Sequence, residues 1–528
     1  MGEPVRNTNA KTRGSIHILH IDPQHWFDFT ALGHTETIVQ LVKYETSLEE
    51  ILATLPTPPD FIIQQETLGA RKFITGLEHA PCPTAFLAFD AHLNLYWQQY
   101  YGKLFDAVLT PHLSLFHALP PDNRHPQVFR CNHAGTDIDW SPHTTRQHPL
   151  AFCGRITPER PLRSWMTRLL TERFGLTVQQ SLSREDMFQF YRNARIIPNE
   201  AICFEVNWRL FETASAGAVP LTPDCGPDQD AAFTNGKEML VYADGQDLYE
   251  KAGWLLNHPT EAEHMGRRAW ERVQREHLPK HRAREVCDLL THLSQARAIG
   301  RDAAVNTWLT RLERAKTGDA QHPLRSLLAQ GEELAQTHEV LTGLLHLLGT
   351  PSRKNTALAF CRDLLVTETG ADSAICNATA SACALAHDDT VMAWSFFTRH
   401  TWDTPVTEKP ISGDPLELCR AWAEDARMAG RPVRPGFTFR PEVGHLPACA
   451  LEFLLFAEHL GHRNEWLSQA QSNLLAPFPA YAPYRLGLLQ SLRRHAMSPA
   501  EAIELSQLLF FCCRVDEGKK LLLQAKDL

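Results

Sequence analysis

The chain lacks long apolar runs, paired cysteines and any excess of positive charge. Its longest apolar stretches, at 451–457 and 508–513, fall far short of the roughly 20 residues that span a bilayer as a helix. A formal net charge of -9 gives no general attraction for nucleic acid or an anionic membrane. The 13 cysteines stand singly, apart from Cys512 and Cys513, with no Cys-x-x-Cys pair. That pattern fits packed, reduced thiols in an intracellular protein better than a disulfide framework. Residues 1–14 are polar and without the apolar segment of a secretory signal, and Gly2 is followed by Arg6 where a myristoylation signal wants Ser or Thr. A flexible N-terminus and a soluble, cytoplasmic protein are expected.

Several catalytic signatures are missing too. There is no Gly-x-Gly-x-x-Gly after the first strand-like run, no phosphate loop, no Gly-x-Ser-x-Gly and no His-Glu-x-x-His. The 26 histidines, among them His17, His20, His25 and His133 near Cys131, show no ligand spacing tied to a metal site. No metal is therefore expected.

What the chain has is length and alternation. Its 528 residues, 43% hydrophobic, allow about three or four domains with their own cores. Strand-like runs at 15–21, 61–65, 84–89 and 107–110 alternate with helical spacing at 35–44, 69–78 and 93–101. Such alternation argues for a parallel, doubly wound sheet. The region 119–149 is rich in Pro, His, Asn and Asp, with a last strand possible at Val128-Phe129. A second α/β series follows, with strands at 150–153, 176–179, 195–198, 219–222 and 239–242. Helices are expected between them at 161–174, 183–193 and 208–216, the second opening on the capping-box pattern Ser183-Arg184-Glu185-Asp186. Three more, at 247–256, 260–276 and 279–293, close the unit. Two such halves imply a cleft between them. Beyond about residue 295 the pattern is helix, turn, helix, at a spacing of roughly 34 residues that suggests tetratricopeptide-like repeats.

The stretch 199–222, NEAICFEVNWRLFETASAGAVPLT, carries the chemistry. A strand leads through a loop into a helix starting near Asn207, which aims free N–H groups and the positive helix end at an anion. Arg209 adds a cation in the first turn, and Glu212 is placed to accept hydrogen bonds from ribose hydroxyls. Open α/β sheets present their reactive groups at the carboxyl ends of the strands. Those positions are Asp22, Glu66 and Asp90, the last with His92 two residues on.

These residues resemble a family. Asn199, Asn207-x-Arg209-x-Phe211-Glu212, Gly217 and Phe233-x-x-Gly236-x-Glu238 look like the C-terminal half of GT-B glycosyltransferases. The group they resemble is the family-1-like one that includes the spore-maturation proteins. Phe152-x-Gly154-Arg155 with Arg160 extends the likeness upstream, and Leu255-x-x-x-Pro259 downstream. Phe89-Asp90 and Leu104-Phe105-Asp106-Ala107-Val108 match more loosely the first half. The resemblance implies an N-terminal Rossmann-like acceptor domain at 15–147 and a C-terminal Rossmann-like nucleotide-sugar domain at 148–297. The helical repeat domain then occupies 298–528.

It further implies a UDP- or GDP-linked sugar donor and no separate cofactor. Glu212 would hold the ribose; Gly154, Arg155 and Arg160 would face the diphosphate; Asn207 and Arg209 would line the donor site. The catalytic base would be Asp90, with Asp22 and Glu66 as further candidates. Many GT-B enzymes carry two Glu separated by seven residues; here six lie between Glu205 and Glu212, so Glu205 receives no role. A cytoplasmic protein acceptor bound by the repeats, such as a bacterial surface or flagellar protein, is the expected partner. The alternatives are an inactive scaffold of this fold and a transferase acting on a saccharide or lipid-linked acceptor.

Overall fold

A computed structural model describes residues 15–526, except 25, 68, 70, 291, 319–322, 335–336, 402–412 and 493–496. The expected flexible segment 1–14, and His25, lie outside the described residues. The first sheet has six parallel strands: β1 (His17–Ile21), β2 (Thr35–Val39), β3 (Phe61–Gln65), β4 (Thr84–Leu87), β5 (Ala107–Thr110) and β6 (Val128–Arg130). Their order is β2-β1-β3-β4-β5-β6. All five residues of β3 and all four of β4 are buried, as the near-continuous apolar runs of a sheet covered on both faces require. Helix α1 (Ala91–Tyr101) leaves the end of β4 and carries His92 in its first turn.

The second sheet has five parallel strands: β7 (His148–Cys153), β8 (Thr177–Gln179), β9 (Ala194–Pro198), β10 (Val219–Pro223) and β11 (Leu240–Tyr242). They are ordered β8-β7-β9-β10-β11. Helix α2 (Pro161–Phe174) follows β7, with proline at the position where a helix needs no N–H. Helix α3 (Trp208–Ser215) follows β9. Helix α4 (Pro279–Leu290) crosses back and sets Ala283 and Val286 into the core beneath the first sheet. The chain thus has the GT-B arrangement of two Rossmann-like sheets, followed by an all-helical region. Past residue 295 there is no strand among the described residues.

Two expectations fail in the first domain. The stretch 35–44 is not a helix; Thr35–Val39 is an edge strand paired in parallel with β1. Its apolar residues Ile38, Val39 and Leu41 imitate a helical face, but β1 offers a ladder that a five-residue segment satisfies better than one marginal helical turn. The described part of the stretch 69–78 likewise forms no α-helix. Phe73–Thr75 pairs in parallel with Glu45–Ser47, and a short turn, Leu77–His79, follows.

The helical region docks on both sheets. Helix α5 (Gly300–Lys316) lies along α1, with Ala303 in the first domain's core and Arg314 stacked on Phe73 at 4.7 Å. Further helices follow, among them α6 (Pro415–Met428), α7 (Ala450–His459), α8 (Glu465–Leu475), α9 (Pro499–Phe511) and α10 (Val515–Lys526). Cys513 and Val515, at the turn joining these last two, sit in the hydrophobic core of the second sheet. No described helix is long and apolar enough to cross a membrane.

Candidate functional site

The cleft between the sheets is built from strand ends. On the first-domain side, Glu66 follows β3 directly. One carboxylate oxygen accepts from the backbone N–H groups of Phe89 (3.0 Å) and Asp90 (2.9 Å), the other from the Asn94 amide at 2.6 Å. Glu66 therefore fixes the turn by which β4 enters α1. Burial, and then the charge of Asp90, push its carboxyl up to about 7.

Asp90 occupies the N-cap position of α1 without making a side-chain cap. Its carboxyl is raised to about 6, first by burial, against the charge of His92, with Glu205 adding to the rise and Arg160 opposing it. Arg160 belongs to the second domain, so Asp90 faces the cleft. Asp22 stands elsewhere. Its carboxylate accepts from Leu41 N–H at 2.9 Å and lies 3.8 Å from Lys72, tying the chain after β2 to the end of β1.

His92 is 3% exposed, and its Nε2 lies 2.7 Å from a carboxylate oxygen of Glu205. Burial alone would lower the imidazole, but the adjacent Glu205 charge and hydrogen bond outweigh it and the net shift is upward. Glu205 is half-buried; burial would raise its carboxyl, but the charge and hydrogen bond of His92 outweigh that and hold it down to about 2. The pair joins the two domains. It reaches into the cleft because the loop before α3 turns through two left-handed residues, Cys203 (φ 53°) and Phe204 (φ 59°). Glu205, given no role by its spacing, thus becomes a central residue of the site. Neither Cys nor Phe signals such a turn, so the sequence held no warning of it.

His112 packs edge-on against His92 with ring centroids 5.3 Å apart; burial, then His92, push it down to about 4. His133 donates from Nε2 to the Val206 carbonyl at 2.7 Å, and burial lowers it to about 3. Both are neutral imidazoles. His92, His112 and Glu205 form the one group of metal-ligand residue types within reach of one another among the described residues. His92 Nε2 and Glu205 are already engaged with each other.

The second-domain side is cationic. Gly154 follows β7, and a Cβ there would lie 2.7 Å from Arg209 Nη2, so glycine lets that guanidinium cross the strand end. Arg209 donates to Asn199 Oδ1 (3.0 Å) and the Cys153 carbonyl (3.2 Å), and stacks on Phe152 at 4.6 Å. Asn207 caps α3 and exchanges amide hydrogen bonds of 3.1 Å with Asn199. Glu212 lies near Arg209 and Arg184, whose charges oppose the rise that burial imposes on it. Its carboxylate makes no hydrogen bond or ion pair among the described residues, leaving its oxygens for a ligand.

Arg155 is exposed, and Arg160 sits half-buried at the start of α2. Arg163, not singled out in the sequence, is buried, bonds Glu200 at 2.8 Å and braces the Arg155 carbonyl at 3.1 Å. Trp208 was missed as well. Its ring meets Trp26 (5.6 Å) and Phe89 (6.2 Å) of the first domain.

Residues 143–288 match a family model described as glycosyl transferase-like. That span holds the whole second sheet, with Gly154, Arg160, Glu205, Arg209 and Glu212. Among solved structures, the chain is similar to Anabaena Alr3699/HepE in complex with UDP and glucose. The match has 12% identity and a TM-score of 0.39, and covers 53% of this chain and 100% of that one. A glycosyltransferase from Rickettsia africae is similar at 10% identity and a TM-score of 0.38, over 53% and 98% of the two chains. Sucrose-phosphate synthase from Thermosynechococcus elongatus follows at 11% and 0.35, over 52% and 98%. No curated protein sequence matches the chain significantly.

Proposed function

We propose that this protein is a glycosyltransferase that moves a sugar from a UDP- or GDP-linked donor to an acceptor hydroxyl in the cleft, within the spore-maturation-like group. The observation that carries this reading is the meeting of Asp90 and His92 with Glu205 and Arg160 across the two sheets. Donor cleavage leaves negative charge on the nucleotide diphosphate. Arg160, Arg155 and the start of α3 supply the opposing charge without an essential metal. Glu212, with free carboxylate oxygens, takes the ribose hydroxyls.

Asp90 is the base. Its carboxyl is raised towards neutrality, faces the cleft and is not used up in holding backbone, whereas Glu66 and Asp22 both bind main-chain N–H groups. A base works best with a pKa near the operating pH. His92 and Glu205, fixed to each other, border the space for the transferred sugar.

The acceptor is a polypeptide held by the tetratricopeptide-like helical region in the cytoplasm. A groove of about 540 Å³ between α6, α7 and α8, with Arg420, Met428, Trp466 and Leu474 on its walls, supports this. Incubating the protein with UDP- and GDP-sugars and assaying sugar release tests the core of the reading. Release from one donor, abolished by Glu212→Ala, is expected; no release and no nucleotide binding would overturn it.

A further inference from the structure

The two halves of the His92–Glu205 pair are each backed by the helical region. Behind Glu205, the left-handed Cys203 and Phe204 are non-glycine residues in a costly conformation, which persists only where surroundings over-determine it. The surroundings here are helical. Phe511, the last residue of α9, lies against Phe204 with ring centroids 5.7 Å apart, and the turn Pro479–Tyr481 rests on the turn Ile202–Phe204.

Behind His92, the segment before α7 presses on the first turn of α1. A Cβ at Gly436 would lie 2.1 Å from the Leu93 carbonyl oxygen, and Phe437 meets Tyr96 edge-on at 5.4 Å. That segment is itself braced. Arg434 stacks on Phe437 at 3.5 Å, bonds Glu452 through two nitrogens at 2.8 and 3.0 Å, and lies 3.6 Å from Glu313 of α5.

We infer that the helical region is a positioning frame for the cleft: Phe511, acting through Phe204, and Gly436, acting on α1, hold Glu205 and His92 at hydrogen-bonding distance. These are positioning residues, because neither touches the space between the sheets. The catalytic part of this inference rests on the transferase reading above, while the geometric part does not. A region that merely recruited acceptors would leave donor chemistry untouched when its contacts are weakened. A frame would not, since misplacing a reactive group by about 1 Å costs up to about 100-fold in rate.

The test uses the full chain with Phe511→Ala, Phe511→Tyr and Gly436→Ala, each first checked for cooperative unfolding. Two readouts apply. The first is the downfield imidazole N–H proton resonance of the His92–Glu205 hydrogen bond, assigned by its loss in Glu205→Gln. It is expected in the native protein and in Phe511→Tyr, and absent or shifted upfield in Phe511→Ala and Gly436→Ala. The second is sugar release from the donor. Its kcat is expected to fall about 10- to 100-fold in the two alanine variants, with nucleoside diphosphate affinity unchanged and with recovery in Phe511→Tyr. An unchanged resonance in both alanine variants overturns the frame. So does an unchanged kcat. If the native protein releases no sugar, the transferase reading fails and the resonance alone decides the frame. If Phe511→Ala does not fold, Gly436→Ala, which acts from the opposite side, decides in its place.

Discussion

The two walls of the cleft are built for different work. The first-domain wall carries carboxyl groups moved towards neutrality by burial, Glu66 to about 7 and Asp90 to about 6. The second-domain wall carries fixed charges: Arg160, Arg209 and the buried Arg163–Glu200 pair. Groups that change charge near pH 7 suit proton transfer, and groups that do not suit holding a charged ligand. The difference divides the labour. On the proposed reading the first wall acts on the acceptor and the second binds the donor; His92–Glu205 ties them together, beside the contacts of Trp208 with Trp26 and Phe89.

The largest break in this division is expected from Glu205→Ala. Removing one partner of a buried ion pair costs about 3–5 kcal/mol, so a drop of that size in a denaturant melt, with loss of sugar release, is expected. Asp90→Asn comes next. It leaves the donor wall intact and lowers kcat by about 10²–10⁴-fold, measured by steady-state sugar release. On the proposed reading the base must be deprotonated to act. A carboxyl raised to about 6 therefore makes kcat/KM fall as pH drops through about 6, roughly tenfold per unit below it, and the asparagine variant loses that acid limb.

Glu212→Ala attacks the other wall. Loss of charge-assisted hydrogen bonds worth about 1.5–3 kcal/mol weakens nucleotide affinity by about 10- to 100-fold in calorimetry and leaves the pH profile of any residual rate unchanged. Asp22→Asn is the smallest break. The amide oxygen still accepts from Leu41 N–H, so a stability change of about 1 kcal/mol and an unaltered rate are expected. A large rate loss there would move the base away from Asp90.

The same contrast runs through what the sequence disclosed. The second domain was legible: its helix at 161–174 has the expected bounds, and Gly154, Arg209 and Glu212 gather at one strand end. Those elements are set locally, by periodicity, a first-turn proline and a cap. The first domain was less legible because its edge strand Thr35–Val39 and the short ladder at Phe73–Thr75 exist only through pairing with distant segments. Glu205 escaped for the same reason. Spacing along the chain counts residues, whereas two left-handed turns at Cys203 and Phe204, backed by Phe511, decide where the carboxylate goes. Trp208 and Arg163 read as helix residues until their partners, Trp26 and Glu200, arrive from elsewhere in the fold.

The packing of α5 and α9 also bears on the helical region. Deleting it would bare the apolar contacts of Ala303, Cys513 and Val515 with the two cores, so point variants separate its roles better than truncation.

Thermal unfolding with a panel of nucleoside diphosphates, on the native protein, Glu212→Ala and Asp90→Asn, tests the division most directly. Ligand at about 100 times its dissociation constant adds about 2.7 kcal/mol to the native state. The account predicts that one nucleoside diphosphate stabilises the native protein and Asp90→Asn equally, and stabilises Glu212→Ala by only about 0.4–1.4 kcal/mol at the same concentration. Stabilisation that survives in full in Glu212→Ala and vanishes in Asp90→Asn would contradict it.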